Sequence, residues 1–353
     1  MAKFNRGDVS EGILAAAITA RFVSKTERIN SSDVLDIIFD LESPSGSKSK
    51  TTTTTFISPN ANSRIKDDVI CKVNLAEINM NAFLAKSTYK MRDIMNLVDA
   101  AVSYANGPYI MSWADLMYNN NQKNVIEVNA EGLLDQTGTK VDLKVVIDGK
   151  QAGVGISLKA GDVKQFGQVG GSKFESMETL WLPFGVKFSR SFQNNYENMI
   201  ADKQVAPALT SAYTEAAKQI KKKSQPELRK MLSKFMNHHA TSGEKDVVLV
   251  QLNRSEAKVY DFETLERKLK FFDIKIRLTS STTAKLNDGG FKGKSGMSKN
   301  KIPKIDFLID NKVLLTIRLK LEGNRVNSKG KRLPLVVRSY VEKGPMTTQL
   351  ITG

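Results

Sequence analysis

The chain has 353 residues, 41% of them hydrophobic, with 53 lysines and arginines against 37 acids for a formal net charge of +16. Length and composition are those of a globular protein with one large domain or two modest ones, and no run of about 18 apolar residues is present to span a membrane. The single cysteine, Cys71, excludes an intramolecular disulfide and a cysteine-rich zinc site, while the positive charge calls for a polyanionic partner, most simply nucleic acid, with a ribosome or an anionic membrane surface as other takers.

Met1–Asp8 is polar and opens directly into a helical pattern, which reads against a signal peptide. Ser10–Phe22 has high helix propensity and an apolar stripe at Ile13, Ala17 and Ala20, with Asp8 or Ser10 as cap. Ser32–Glu42 reads as a short second element. Ser43–Thr55 is low in complexity and reads as a loop or an edge hairpin. Tyr89–Asn106 is amphipathic, with Met91, Ile94, Met95, Val98 and Val102 at helical spacing, and Ile110–Tyr118 predicts another helix.

The period then changes to two. Strands are predicted at Asn124–Ala130, Val141–Ile147 and Ala152–Leu158, the last two joined through Asp148-Gly149, a strong hairpin signal. The span 162–240 reads as mainly helical, and its basic part, Pro207–Asn237, carries Lys218, Lys221, Lys222, Lys223, Arg229, Lys230 and Lys234. His238 and His239 follow at its end. Adjacent side chains on a helix diverge, so they form no chelating pair and leave no basis for a histidine triad. Strands return at Val247–Leu252, Ala257–Tyr260, Phe272–Leu278, Ile305–Ile309, Val313–Leu319 and Leu335–Val341. The expected fold class is mixed α/β, with a boundary near 240 separating 1–240 from a β-rich basic region, 241–353.

The hairpin places the start of one strand near the end of the next, and so Asp142 near Lys159. A carboxylate in an apolar strand pattern is costly unless paired or bound to a cation. Its bland reading is an edge acid facing water, and that of Lys159 a solvated lysine; together they suggest phosphodiester chemistry. An acid on one strand followed by a lysine closing the next resembles the PD-(D/E)XK nuclease superfamily. That resemblance implies a restriction-endonuclease-like core, a mixed central sheet flanked by helices, and Mg²⁺-dependent hydrolysis of DNA, with Mn²⁺ able to substitute. It also implies a homodimer and a bacterial cytoplasm or phage-infected host. Within it, Glu11, Asp142 and the Leu158 carbonyl are the expected metal ligands, Lys159 the charge-stabilising cation, and Gln165, with Gln168, the glutamines of a helix after the lysine strand. Two positions depart from the family pattern: Ser157 stands where the box has its acid, and Val169 where one subgroup has tyrosine. Glu11, Glu127 or Glu131 could supply the missing carboxylate, Glu11 being favoured.

Two basic stretches are expected to grip DNA through its backbone: Lys292, Lys294, Lys299 and Lys301 in a glycine-rich segment, and Arg325, Lys329, Lys331 and Arg332 beyond it. Gly293-Lys294-Ser295 echoes the end of a P-loop, but Asp288 occupies the position of its first glycine. The alternatives to a nuclease are a non-catalytic DNA-binding protein on a decayed nuclease fold and a virion or assembly protein that contacts DNA.

Overall fold

The structure, a computed structural model, describes residues 6–25, 27–42, 51–59, 64–74, 90–130, 141–244, 246–282, 301–322 and 336–352. The fold is mixed α/β. The elements run α1 (Arg6–Ser24), α2 (Ser31–Glu42), β1 (Thr51–Pro59), β2 (Lys66–Asn74), α3 (Met91–Ala105), α4 (Pro108–Asn119), β3 (Val125–Ala130), β4 (Leu143–Ile147) and β5 (Lys150–Ala160). They continue with β6 (Gln165–Gly170), α5 (Phe174–Trp181), α6 (Arg190–Ala201), α7 (Val205–Ile220), α8 (Gln225–Thr241), β7 (Val247–Asn253) and β8 (Glu256–Tyr260). The chain closes with α9 (Leu265–Leu269), β9 (Lys275–Thr282), β10 (Lys301–Ile309), β11 (Lys312–Glu322), β12 (Val336–Lys343) and α10 (Pro345–Ile351). Among the described residues no helix is long and apolar enough to cross a membrane.

The chain divides into two compact units whose sequences interleave, rather than at a single boundary near 240. The first comprises residues 1–163, 240–261 and 353, the second 164–239 and 262–352. The reason is strand pairing. β7 and β8, beyond residue 240, complete the sheet begun by β1–β5, while β6, well before it, joins the sheet of β9–β12.

The first unit holds a seven-stranded sheet, β1-β2-β3-β4-β5-β7-β8. β3, β4 and β5 form an antiparallel meander, and β2/β3 and β5/β7 pair in parallel. One face of this sheet carries Val69, Cys71, Val73, Ile126, Val128, Leu143, Val145, Ile156, Leu158 and Val250, in one core with α1, α2 and α3. Three consecutive alanines of α1, Ala15–Ala17, are fully buried; small side chains let that helix lie close to its neighbours while favouring helix. Of the expected α3 stripe Ile94 and Val98 are buried, Met95 and Val102 half-buried and Met91 exposed, the buried face being completed by Leu97 and Ala101; Asp93 accepts from the Lys90 N–H at the start of the helix. The threonine run is an edge strand: β-branched Thr51–Thr55 pair with β2, so the hairpin alternative holds there, while residues 43–50 lie outside the described residues. The Asp148-Gly149 turn forms as expected, both residues having positive φ (49° and 75°), as a tight two-residue hairpin requires.

The second unit is built on a five-stranded antiparallel sheet, β6-β12-β11-β10-β9. Its apolar face meets an aromatic cluster in which Phe184 lies 4.7 Å from Phe235 and 5.2 Å from Phe307, ring centre to ring centre. The Tyr213 hydroxyl donates to Ser339 Oγ at 2.8 Å, tying α7 to β12. Gly344 follows β12 so closely against β11 that a Cβ there would stand 2.1 Å from the Val313 carbonyl oxygen. Residues 162–240 are mainly helical as expected, except at β6. Gly167, Gly170 and Gly171 weaken a helix in this stretch, and β12 offers an edge to pair with.

Candidate functional site

The meander brings Asp142 and Lys159 to the same residue. Asp142 immediately precedes β4, beside the in-register pair Leu143–Ile156; the slip in the β4–β5 ladder lies further on, between Lys144 and Val146. Its backbone N–H donates to the Ile156 carbonyl at 2.8 Å, and its carboxylate Oδ2 accepts from the Leu158 N–H at 2.5 Å. The carboxylate thus takes the place a backbone carbonyl would hold in a continued ladder. Lys159 Nζ curls back and donates to the Leu158 carbonyl oxygen at 2.9 Å. The acid and the ammonium therefore flank one peptide backbone, on the N–H and C=O of Leu158.

Strand alternation sets the rest of the geometry. Ile156 and Leu158 belong to the core that includes Ile13, Leu14 and Ile18 of α1. Ser157 and Lys159 consequently project from the opposite face, where Ser157 is buried and Lys159 half-buried. Glu11 is half-buried on α1, between buried Ser10 and Ile13, on the helix that covers the Leu158 face. Glu11 and Lys159 thus start from different faces of the sheet. Of the other candidate acids, Glu127 receives Lys72 Nζ at 2.7 Å, and Glu131 lies outside the described residues.

The glutamine expectation is overturned. Gln165 and Gln168 stand on strand β6 of the second unit, not on a helix, and Gln165 Nε2 donates to Gln168 Oε1 at 3.2 Å. A different glutamine organises the lysine strand. Gln251 on β7 is the register partner of Lys159 and is buried. Its Nε2 donates to the carbonyls of Gly161 (2.5 Å) and Val163 (3.2 Å), and its Oε1 accepts from the Tyr260 hydroxyl at 3.1 Å. The turn just after Lys159, where Gly161 has φ +79°, is held by that side chain together with the Gly161 N–H, which donates to the Leu252 carbonyl at 2.7 Å. A lone amide in the apolar run Val247–Leu252 was the available signal, since a buried amide must find partners.

The oxygen-rich donor set suits a hard cation. Mg²⁺ characteristically takes one or two carboxylates and retains water. Among the described residues no three His, Cys, Asp or Glu side chains cluster as a metal-binding group, so a cation here would depend on Asp142, Glu11, the Leu158 carbonyl and water. The histidines diverge as expected: His238 is exposed, while His239 is buried with its ring 4.4 Å from Phe235. Of the expected DNA-gripping residues, Lys292, Lys294, Lys299, Arg325, Lys329, Lys331 and Arg332 lie outside the described residues, and Lys301 opens β10 with its backbone. Comparison of the chain with protein-family models, with curated proteins and with solved structures finds no match.

Proposed function

We propose that the protein is a Mg²⁺-dependent hydrolase of DNA phosphodiester bonds, acting in a bacterial cytoplasm or a phage-infected cell. The observation that carries this reading is the meeting of Asp142 and Lys159 at the backbone of Leu158, in a chain of net charge +16. Asp142, Glu11 and the Leu158 carbonyl would hold the ion, which when bound supplies an activated water and a polarised phosphate. For the carbonyl to take part, Lys159 has to release it. The freed ammonium then reaches the phosphate and stabilises the negative charge that grows on its oxygens. Gln251, by fixing the turn after Lys159, limits where that ammonium can go.

A second reading is favoured by the same hydrogen bonds. Asp142 and Lys159 each satisfy a backbone group of Leu158, which a purely structural pair at a ladder end would also do. That reading makes the protein a non-catalytic binder of nucleic acid.

Asp142→Asn separates the two, because an amide oxygen still accepts from the Leu158 N–H but binds a cation poorly. Supercoiled and linear DNA would be incubated with wild type, D142N and K159A in Mg²⁺ or Mn²⁺. The nuclease reading expects wild-type cleavage and a loss of about 10²-fold or more in folded D142N and K159A. A wild-type protein that binds DNA without cutting it, or variants that cut as well as wild type, leaves only the binding reading.

A further inference from the structure

Outside the Asp142–Lys159 site, the second unit carries a charged sheet face that none of the sequence motifs marked. In the antiparallel register Arg277 of β9 stands opposite Asp306 of β10, and Asp306 opposite Thr316 of β11. One step along, Lys304 faces Arg318, which faces Tyr340 of β12; one step further, Lys320 faces Arg338. Residues directly opposite share a face, so Arg277, Lys304, Arg318, Lys320 and Arg338 all lie on the side away from Ile305, Phe307, Ile317 and Val341. Among the described side chains the carboxylates of that array are Asp306 and Glu342, against five cations.

Both carboxylates hold cations in fixed positions. Asp306 is fully buried and takes Arg277 at 3.0 Å, Lys304 at 3.1 Å and the Thr316 hydroxyl at 2.7 Å. Glu342 is gripped by Arg318 through Nε (3.1 Å) and Nη2 (2.5 Å). The Tyr340 ring lies 5.3 Å from the Arg318 guanidinium and 5.1 Å from the Lys320 ammonium, which also reaches its hydroxyl at 3.3 Å. With only 8% of its surface exposed, Tyr340 positions two cations and is not open to stack on a base. The outer cations keep access to solvent: the Arg277 side chain is 52% exposed and that of Arg318 33%. Lys320 and Arg338 form a row that ends at Gly170 of β6.

We infer that this face binds the phosphodiester backbone of nucleic acid without reading bases. Charge complementarity selects the ligand: a preorganised cation array spaced about 5 Å between strands and about 7 Å along them fits an extended polyanion. The covered Tyr340 ring excludes the base-stacking mode of single-strand binders. The inference rests on the nucleic-acid reading above but not on catalysis.

The test is binding of fluorescein-labelled single-stranded and duplex DNA of two unrelated sequences, followed by anisotropy in EDTA across a salt series. K320Q/R338Q removes two cations that face each other across β11 and β12. K218Q/K222Q removes two exposed ones from the region of α7 and controls for net charge. Each phosphate contact contributes about 0.7–0.9 to the slope of log K against log salt, so K320Q/R338Q should lower the slope by about 1.4–1.8, equally for both sequences. K218Q/K222Q should leave it nearly unchanged, and K320R/R338K should restore it. An unchanged slope in a K320Q/R338Q protein with wild-type circular dichroism overturns the inference, as does an equal loss in the control pair. Binding that depends on this face in a protein that cuts no DNA removes the nuclease reading alone, whereas cleavage with binding indifferent to this face removes only the present inference. A wild-type protein that binds no DNA removes both.

Discussion

Replacing Asp67 by asparagine should destabilise the first unit severely, and replacing Lys25 as well should restore it. Lys25 lies just past α1 with φ +42° and, like Asp67 of β2, has a fully buried side chain; the two form an ion pair. The second oxygen of Asp67 accepts from the Asn124 N–H at 2.8 Å and from Asn124 Nδ2 at 3.2 Å. Asparagine keeps an acceptor for Asn124, so D67N isolates the loss of the negative charge. An ammonium left buried without its counter-ion costs about 3–5 kcal/mol, a large share of the roughly 5–15 kcal/mol that holds a domain together. K25M/D67N removes both charges and should return to within about 1 kcal/mol of wild type, because desolvating an ion pair offsets much of its attraction. Urea unfolding can be followed in each unit separately. The tryptophans are Trp113, in the first, and Trp181, in the second, so a W181F background reports on the first alone. If D67N unfolds within 1 kcal/mol of wild type, or if the double variant is no more stable than D67N, the reasoning fails.

Cys71 should be inert to thiol reagents at pH 8.5 in the native protein and react once urea unfolds it, because burial pushes its thiol up to about 12 despite a hydrogen bond from Thr19 that acts the other way. The thiol ionises first in the unfolded chain, near pH 9, so its contribution to stability should fall between about pH 9 and 12, by up to about 1.4 kcal/mol per pH unit, and C71A should lack that part of the slope; equal slopes in the two proteins would contradict it. Gln251→Leu leaves the Gly161 and Val163 carbonyls without their amide donor, at a cost of about 1–3 kcal/mol. Hydrogen exchange should then speed up at residues 161–163 while the first unit stays folded, and unchanged exchange would show that Gln251 does not hold the turn.

What could be read from the chain alone was what depends on near neighbours in sequence. The Asp148-Gly149 turn, the α3 helix with Ile94 and Val98 on its buried face, and the Ala15–Ala17 segment of α1 all announce themselves within a few residues, and each forms. β2 was not foreseen: its first residues, Lys66-Asp67-Asp68, are polar, and its alternation of Val69, Cys71 and Val73 is short. Its polar start has a reason visible only in three dimensions, since Asp67 serves Lys25 and Asn124. β6 misled because a glutamine-bearing stretch after a strand looked like a helix, whereas its partner, β12, lies far along the chain. The hairpin made Asp142 and Lys159 neighbours, but the carboxylate's capture by the Leu158 N–H is a bond from side chain to backbone that no residue pattern announces. Gln251 is paired with Lys159 through a parallel register, and parallel partners leave no local trace.

The interleaving of the two units sets an order of events during synthesis. α1 and the β3–β5 meander leave the ribosome early, yet their sheet stays open at β5 until β7 and β8 arrive, by which time β6 and the four helices α5–α8 of the other unit have already emerged. β6 in turn waits for β12, which follows β7–β11 in the chain. Each nascent sheet therefore exposes unpaired strand edges for much of translation, the circumstance in which chains pair wrongly with one another and need chaperones. For the same reason, a cut at residue 240 would not yield an independent half: it would strip β7 and β8 from one sheet and leave β6 stranded without the other.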